Sequence, residues 1–270
     1  MKCNLCNSDK IYYRHYQRLE NNILFTLSKC LECNIIFKTN PKTESIDLLS
    51  GQYYKLKSLG NVIDKRFIGH FTRRAEAHYR YIKKYYTNQK KYALDIGCGA
   101  GFFIQKLKHN GWNVKGIESD PFMFNYGVSN GLEIENILFE DYDSKEKFGL
   151  IYLSHVFDDL PRIKQVIIKI KNLLSKDGLL FIEIPNFGWY QRLSNIKYED
   201  LLVGKYFFTK ETLLDTLSLN GFKLLHCKSF EPIYINTFYQ AITSPFKLYL
   251  KLLPPKMRSS LRAIFKVDKI

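Results

Sequence analysis

From residue 92 onward, short apolar runs alternate with stretches in which apolar side chains recur every three or four positions. The runs at 92–96, 113–117, 134–139, 150–154, 179–183, 223–230 and 233–240 read as strands, and 102–109, 121–130, 161–174 and 210–219 as helices. This alternation predicts a mostly parallel sheet with helices on both faces. Glu231-Pro232 joins the last two runs, which suits a terminal antiparallel pair. Upstream, 62–86 has helical spacing, with Phe67, Phe71, Ala75, His78 and Ile82 on one face. Arg66, Arg73, Arg74 and Arg80 fall elsewhere, as a solvated surface or a phosphate-attracting rim. Near the N-terminus, 11–16 and 23–27 read as a hairpin and 35–37 as a further strand. Residues 245–266 set Phe246, Leu248, Leu250, Leu252, Leu253, Met257, Leu261, Ile264 and Phe265 among lysines and arginines, and Pro254-Pro255 divides them into two short helices. The expected units are therefore 1–40, a linker with a helix at 41–91, an α/β domain at 92–243 and a basic tail at 244–270.

Charge sharpens this division. The net charge of +15 sits on the flanks: residues 1–92 carry 18 Lys and Arg against 7 Asp and Glu, and 244–270 carry 7 against 1. The middle is near neutral, so an anionic partner would be met by the flanks: a phosphorylated metabolite, a membrane surface or RNA. A basic amphipathic tail can lie on anionic lipid, or simply pack on the core. No run of 18 uncharged apolar residues spans a membrane, and residues 1–20 lack the apolar core of a signal peptide. The expected location is cytoplasmic, or peripheral to the inner face of the membrane. In a reducing compartment, Cys3-x-x-Cys6 and Cys30-x-x-Cys33 point to a structural Cys₄ zinc site, with disulfides as the alternative.

Candidate chemistry centres on residues 94–103. Gly97, Gly99 and Gly101 form a tight turn between strand and helix, where missing β-carbons let a ligand approach the backbone. A dinucleotide fingerprint needs a further glycine at 102, and Phe102 occupies that position, disfavouring a pyrophosphate. Glu118 ends the second strand about 20 residues on, where an acid accepts hydrogen bonds from ribose hydroxyls. Together these features point to an adenosine ligand without a pyrophosphate.

The segment Asp95-Ile96-Gly97-Cys98-Gly99-Ala100-Gly101 resembles motif I of the class I S-adenosylmethionine-dependent methyltransferases. Residues 111–118 and 178–186 resemble the second and fifth strands of a bacterial subfamily whose members often carry an N-terminal pair of CxxC knuckles. The resemblance implies an α/β, Rossmann-like methyltransferase sheet with helices on both faces and a terminal antiparallel strand pair, plus a small N-terminal zinc ribbon. It implies S-adenosyl-L-methionine as donor, held by Asp95, Gly97, Cys98, Gly99, Gly101 and Phe102. Glu118 and Ser119 would follow at the ribose, Asp141 and Tyr142 near the adenine, and Ser154 at the end of the fourth strand. Cys3, Cys6, Cys30 and Cys33 would hold structural Zn²⁺.

For the acceptor, the family usually places an acid and then a histidine after the fourth strand. Here Asp158 keeps the acid and Asp159 replaces the histidine, leaving His155, Asp158 and Asp159 as candidate bases. Asp159 could instead cap a helix beginning at Pro161. Asn186, Trp189, Tyr190 and Tyr206 are the expected acceptor contacts, while Gln52-Tyr53-Tyr54 matches an aromatic pair placed after the ribbon. The family's histidine four residues before Thr209 is Lys205 here. The resemblance implies a small-molecule acceptor, such as a sugar or other precursor of surface polysaccharide or natural products, in phosphorylated, nucleotide-linked or lipid-linked form. An RNA methyltransferase and a donor-binding subunit without a base are the rival readings.

Overall fold

The computed structural model describes residues 2–17, 24–39, 63, 65–87, 90–190, 204–230 and 260–268. Two sheets organise them. The first is antiparallel, in the order β1-β2-β3-β9: β1 (Ile11–Gln17), β2 (Leu24–Cys30), β3 (Ile36–Thr39) and, from far along the chain, β9 (Tyr206–Phe207). The second has seven strands. Its parallel part comprises β4 (Tyr92–Ile96), β5 (Asn113–Ile117), β6 (Ile134–Glu135), β7 (Phe148–Ser154) and β8 (Leu174–Pro185). β10 (Phe222–Phe230) and β11 (Ser260–Val267) complete the order β10-β11-β8-β7-β4-β5-β6.

The parallel strands are nearly continuous apolar runs because helices cover both faces. Leu94, Ile151, Leu153, Leu180 and Ile182 are buried on one face, and Ala93, Leu150, Tyr152 and Phe181 pack on the other. Each buried aliphatic side chain contributes about 1.5–3 kcal/mol. α1 (Lys65–Lys83) lies against α2 (Phe102–Lys108), and α3 (Pro121–Ser129), α4 (Ile163–Leu173), α5 (Phe187–Tyr190) and α6 (Lys210–Ser218) follow the strands. Two helix starts use side-chain caps: Asp120 accepts from Met123 N–H, and Thr209 and Thr212 form a reciprocal capping box.

Most predicted strands and helices overlap those observed, although the strand expected at 134–139 is only Ile134–Glu135. One strand was not foreseen at all. The tail region expected as short helices supplies β11 at 260–267, inserted between β8 and β10 and antiparallel to both. Leu261, Ala263 and Phe265 join one core cluster and Ile264 the other, a period-two pattern that a helical reading of 245–266 obscured. These apolar side chains are in the core and so cannot contact lipid. The expected strand at 233–240, Gln52-Tyr53-Tyr54 and Pro254-Pro255 lie outside the described residues. Among the described residues, no helix is long and apolar enough to cross a membrane.

Candidate active site

At the carboxyl end of β4 the chain turns through three glycines with left-handed backbone: φ is 66° at Gly97, 56° at Gly99 and 78° at Gly101. Their surroundings differ. A β-carbon on Gly97 would lie 2.4 Å from Val156 Cγ2, and one on Gly101 2.2 Å from Leu132 Cδ1. On Gly99 it would meet no heavy atom within 4 Å. Packing therefore requires Gly97 and Gly101, whereas Gly99 faces open space, where a ligand can approach. Gly99 N–H donates to Glu118 Oε2 at 2.7 Å, and Asp120 N–H to Oε1 at 2.8 Å. Burial pushes the Glu118 carboxyl up, against the pull of these two N–H groups.

Asp95 lies beneath the turn at 1% exposure, and neither carboxylate oxygen has a hydrogen-bond partner among the described residues. Burial, then the charge of Glu118, pushes its carboxyl well above the usual range, with Arg74 opposing. A buried carboxylate without a donor carries a desolvation penalty that a ligand cation or N–H group would relieve.

Beside this turn, β7 ends at Ser154 and the backbone at His155 becomes left-handed, with φ 57°. His155 N–H donates to Glu183 carbonyl at 2.7 Å, and its Nε2 stands 3.5 Å from Glu183 Oε1. The imidazole is 37% exposed, so one side remains open. Burial and then Arg74 hold His155 below the ordinary imidazole range, favouring the neutral form.

Glu183, itself 1% exposed, is the hub of a buried network. Arg74 reaches it at 3.0 Å, Arg262 at 2.6 Å and His78 Nε2 at 2.8 Å. Burial would raise this carboxyl, but His78, Arg74 and His155 outweigh it and hold it well below the usual range. Burial holds His78 down at about 4, so it is neutral near pH 7. The Tyr152 hydroxyl, 2.5 Å from Nδ1, then donates to that nitrogen, leaving Nε2–H to face Glu183. Arg74 also donates to Ser154 Oγ at 2.6 Å.

Arg74 is thus a partly buried partner of Glu183 and not part of a solvated face. It lies one helical turn before His78, on the same side of α1. Sequence reasoning missed this network, although an acid within the apolar run of β8 was a signal: such a charge needs partners.

The other expected site residues divide. Cys98 is half-buried, and burial, then Asp95 and Glu118, pushes its thiol up. The Phe102 ring stacks on Phe71 at 5.9 Å and approaches Phe67 and Tyr126. Ser119 and Asp141 are exposed. Tyr142 is 3% exposed in the main core and offers the site almost no side-chain surface.

Asp158 is buried in the turn after β7, and its Oδ1 lacks a hydrogen-bond partner among the described residues. Asp159 does not cap α4, which begins at Ile163 behind a left-handed Arg162 with no side-chain cap. Tyr206 is not an open acceptor contact: it is buried, and its hydroxyl accepts from Asn4 Nδ2 and Ile163 N–H. Asn186 is buried at the start of α5, while the side chains of Trp189 and Tyr190 lie outside the described residues.

At the N-terminus, the sulfurs of Cys3, Cys6, Cys30 and Cys33 all lie within 4.8 Å of one another. Cys3–Cys33 and Cys6–Cys30 are 3.6 and 3.5 Å apart, too far for disulfides. Tetrahedral coordination with bonds of about 2.3 Å would separate sulfurs by about 3.8 Å. The cluster is compatible with a zinc ribbon.

The methyltransferase domain family matches residues 68–227, more than half of the chain. The chain belongs to this family. A ubiquinone biosynthesis O-methyltransferase from Glaesserella parasuis serovar 5 is 35% identical over 108 residues, covering 36% of this chain and 46% of that protein. One of the same description from Rhodopseudomonas palustris is 24% identical over 104 residues, covering 36% and 40%. This methyltransferase chain therefore matches less than half the length of these curated relatives. Among solved structures, an S-adenosylmethionine-dependent methyltransferase from Mesorhizobium loti superposes with TM-score 0.53 at 19% identity, covering 70% of this chain and 97% of that one. The plantazolicin methyltransferase BpumL in complex with SAH gives 0.54 at 14% identity, covering 86% and 92%.

The methyltransferase turn fits a sulfonium nucleoside. Gly99 leaves room for the ligand, Asp95 has no hydrogen-bond partner among the described residues, and Glu118 retains lone pairs for ribose hydroxyls.

Proposed function

We propose that this chain transfers the methyl group of S-adenosylmethionine to a hydroxyl of a small molecule, a sugar or other precursor of surface polysaccharide or natural products. The observation that carries the reading is the juxtaposition of the open glycine turn with His155, connected by Val156 against Gly97. The donor supplies an electrophilic methyl whose bond to a positively charged sulfur breaks as the new C–O bond forms. The protein's part is to position the acceptor and remove its proton. Glu118 and Asp95 hold the donor's ends, and the turn keeps the acceptor side in line. Neutral His155, backed by Glu183, takes the hydroxyl proton as general base. The O-methyltransferase descriptions of the curated relatives support an oxygen nucleophile. The four cysteines would hold zinc as a structural ion, all four positions being thiolates with none left for a reacting ligand.

Single-turnover assays of the zinc-replete chain with labelled donor and a panel of sugar nucleotides, polyols and phenols test this. We expect label in one acceptor class, and at least a hundredfold loss in His155→Ala, within the usual contribution of a general base. Label transferred equally by parent and variant would remove His155 from the role. Transfer only to RNA would overturn the acceptor class.

A further inference from the structure

The ribbon is joined to the catalytic sheet by a short relay of backbone bonds. β3 pairs with β9 through Ile36↔Phe207 and Phe37↔Tyr206, and Lys38 N–H donates to Lys205 carbonyl at 2.9 Å. Lys205 and Tyr206 N–H groups then donate to Asp158 carbonyl at 2.8 and 2.9 Å. Asp158 belongs to the turn whose Val156 packs against Gly97 of the donor loop. Side chains converge at the same place. Lys38 Nζ stands 5.6 Å from the Phe207 ring centre, and Asp158 Oδ2 and Asp159 Oδ1 both flank Gly204. The charges that act on Asp159 are those of Asp158 beside it, Lys38 from β3 and Lys205 from the approach to β9, where the Gly204 N–H also favours the carboxylate.

We propose that Lys38 is a positioning residue for Asp159: carried by the ribbon strand to the same turn, its positive charge orients that carboxylate on the acceptor side of the site. The ribbon then forms a working wall of the enzyme as well as a small folded module. This inference rests on the methyltransferase reading. Burial pushes Asp159 up to about 6, while Lys38 and then Lys205 pull it down. Burial, and then the charge of Asp159, pushes the deeper Asp158 well above the usual range. The pair therefore resists carrying two charges, and when it holds a single proton it presents an O–H donor beside a carboxylate acceptor. That combination complements neighbouring hydroxyls on a polyol or sugar, one donating to Asp159 and the other accepting from Asp158.

Carboxyl-carbon NMR of the full, zinc-loaded chain reads the Asp159 titration directly and requires no acceptor. We expect the Asp159 midpoint to rise by about one unit in Lys38→Met and Lys38→Gln, the usual effect of losing a nearby opposite charge. Lys38→Arg keeps the charge and should stay near the parent. The amide spectrum of β3 and β9 checks that strand pairing survives. A midpoint unmoved in both neutral variants overturns the proposal, and so does an arginine variant that shifts as far as they do. Calorimetry of the parent with S-adenosylmethionine separates the two readings. Absent heat sinks the methyltransferase reading, whereas an immobile midpoint sinks this one.

Discussion

At the donor turn, backbone geometry does most of the work: an open Gly99, its N–H held by Glu118, and glycines at 97 and 101 where any side chain would collide. Around Glu183, beside that turn, side chains do it instead. Arg74 comes from α1, His155 from the end of β7, Glu183 from β8 and Arg262 from β11. A turn built from local backbone tolerates change elsewhere in the chain. A network drawn from four elements ties its chemistry to global stability.

The largest expected effect is on the network. Glu183→Ala leaves Arg74 and Arg262 facing each other without their shared counter-charge, and should destabilise the chain by about 3–5 kcal/mol in urea unfolding. Because the Glu183 carboxyl is depressed on folding, its contribution is complete above the unfolded carboxylate range and is lost as pH falls through the folded value. The acid limb of the stability profile should therefore be shallower in Glu183→Gln. An unchanged limb would show that the hub does not couple ionisation to folding.

Next come paired glycine substitutions. Gly97→Ala meets Val156 and also carries left-handed strain, so a loss of about 2–4 kcal/mol is expected. Gly99→Ala has strain but no clash, and should lose about 1 kcal/mol of stability while still impairing donor binding. Equal losses of stability would erase the distinction between packing and ligand-facing glycines.

Glu118→Ala should weaken donor affinity roughly ten- to hundredfold by calorimetry, the range for charge-assisted hydrogen bonds, with less effect on unfolding than Glu183→Ala. The smallest effect concerns protons. Asp95 is pushed up by burial, and a bound ammonium would draw it back down. Donor binding should then release a proton between those two midpoints, and affinity should rise as pH increases through that interval. Binding heats that do not vary among buffers of different ionisation enthalpy would refute this.

The same contrast explains what the sequence revealed. Strands β4 and β5, their glycine turn and Glu118 are consecutive, and each leaves a local mark: an apolar run, a glycine at a forced φ, an acid at a strand end. The Cys₄ cluster is equally local in its two knuckles, and the fold only had to bring them together. Arg74 looked like one surface arginine among several, because nothing nearby in sequence shows that Glu183 waits across the sheet. Tyr206 looked like an aromatic at a pocket edge, and only the pairing of β3 with β9 reveals that its hydroxyl is already engaged. β11 was misread because its eight residues follow a longer stretch in which apolar and basic side chains mimic an amphipathic helix.

That strand has a consequence for biosynthesis. With β11 wedged between β8 and β10, the sheet cannot close until residue 267 has left the ribosome, although β4 to β8 emerge long before. Until then the nascent domain exposes a raw strand edge at β8, a ready template for mispairing with another copy. A translational pause or truncation just upstream of residue 260 should therefore yield chaperone-bound or aggregated product, not a smaller working enzyme.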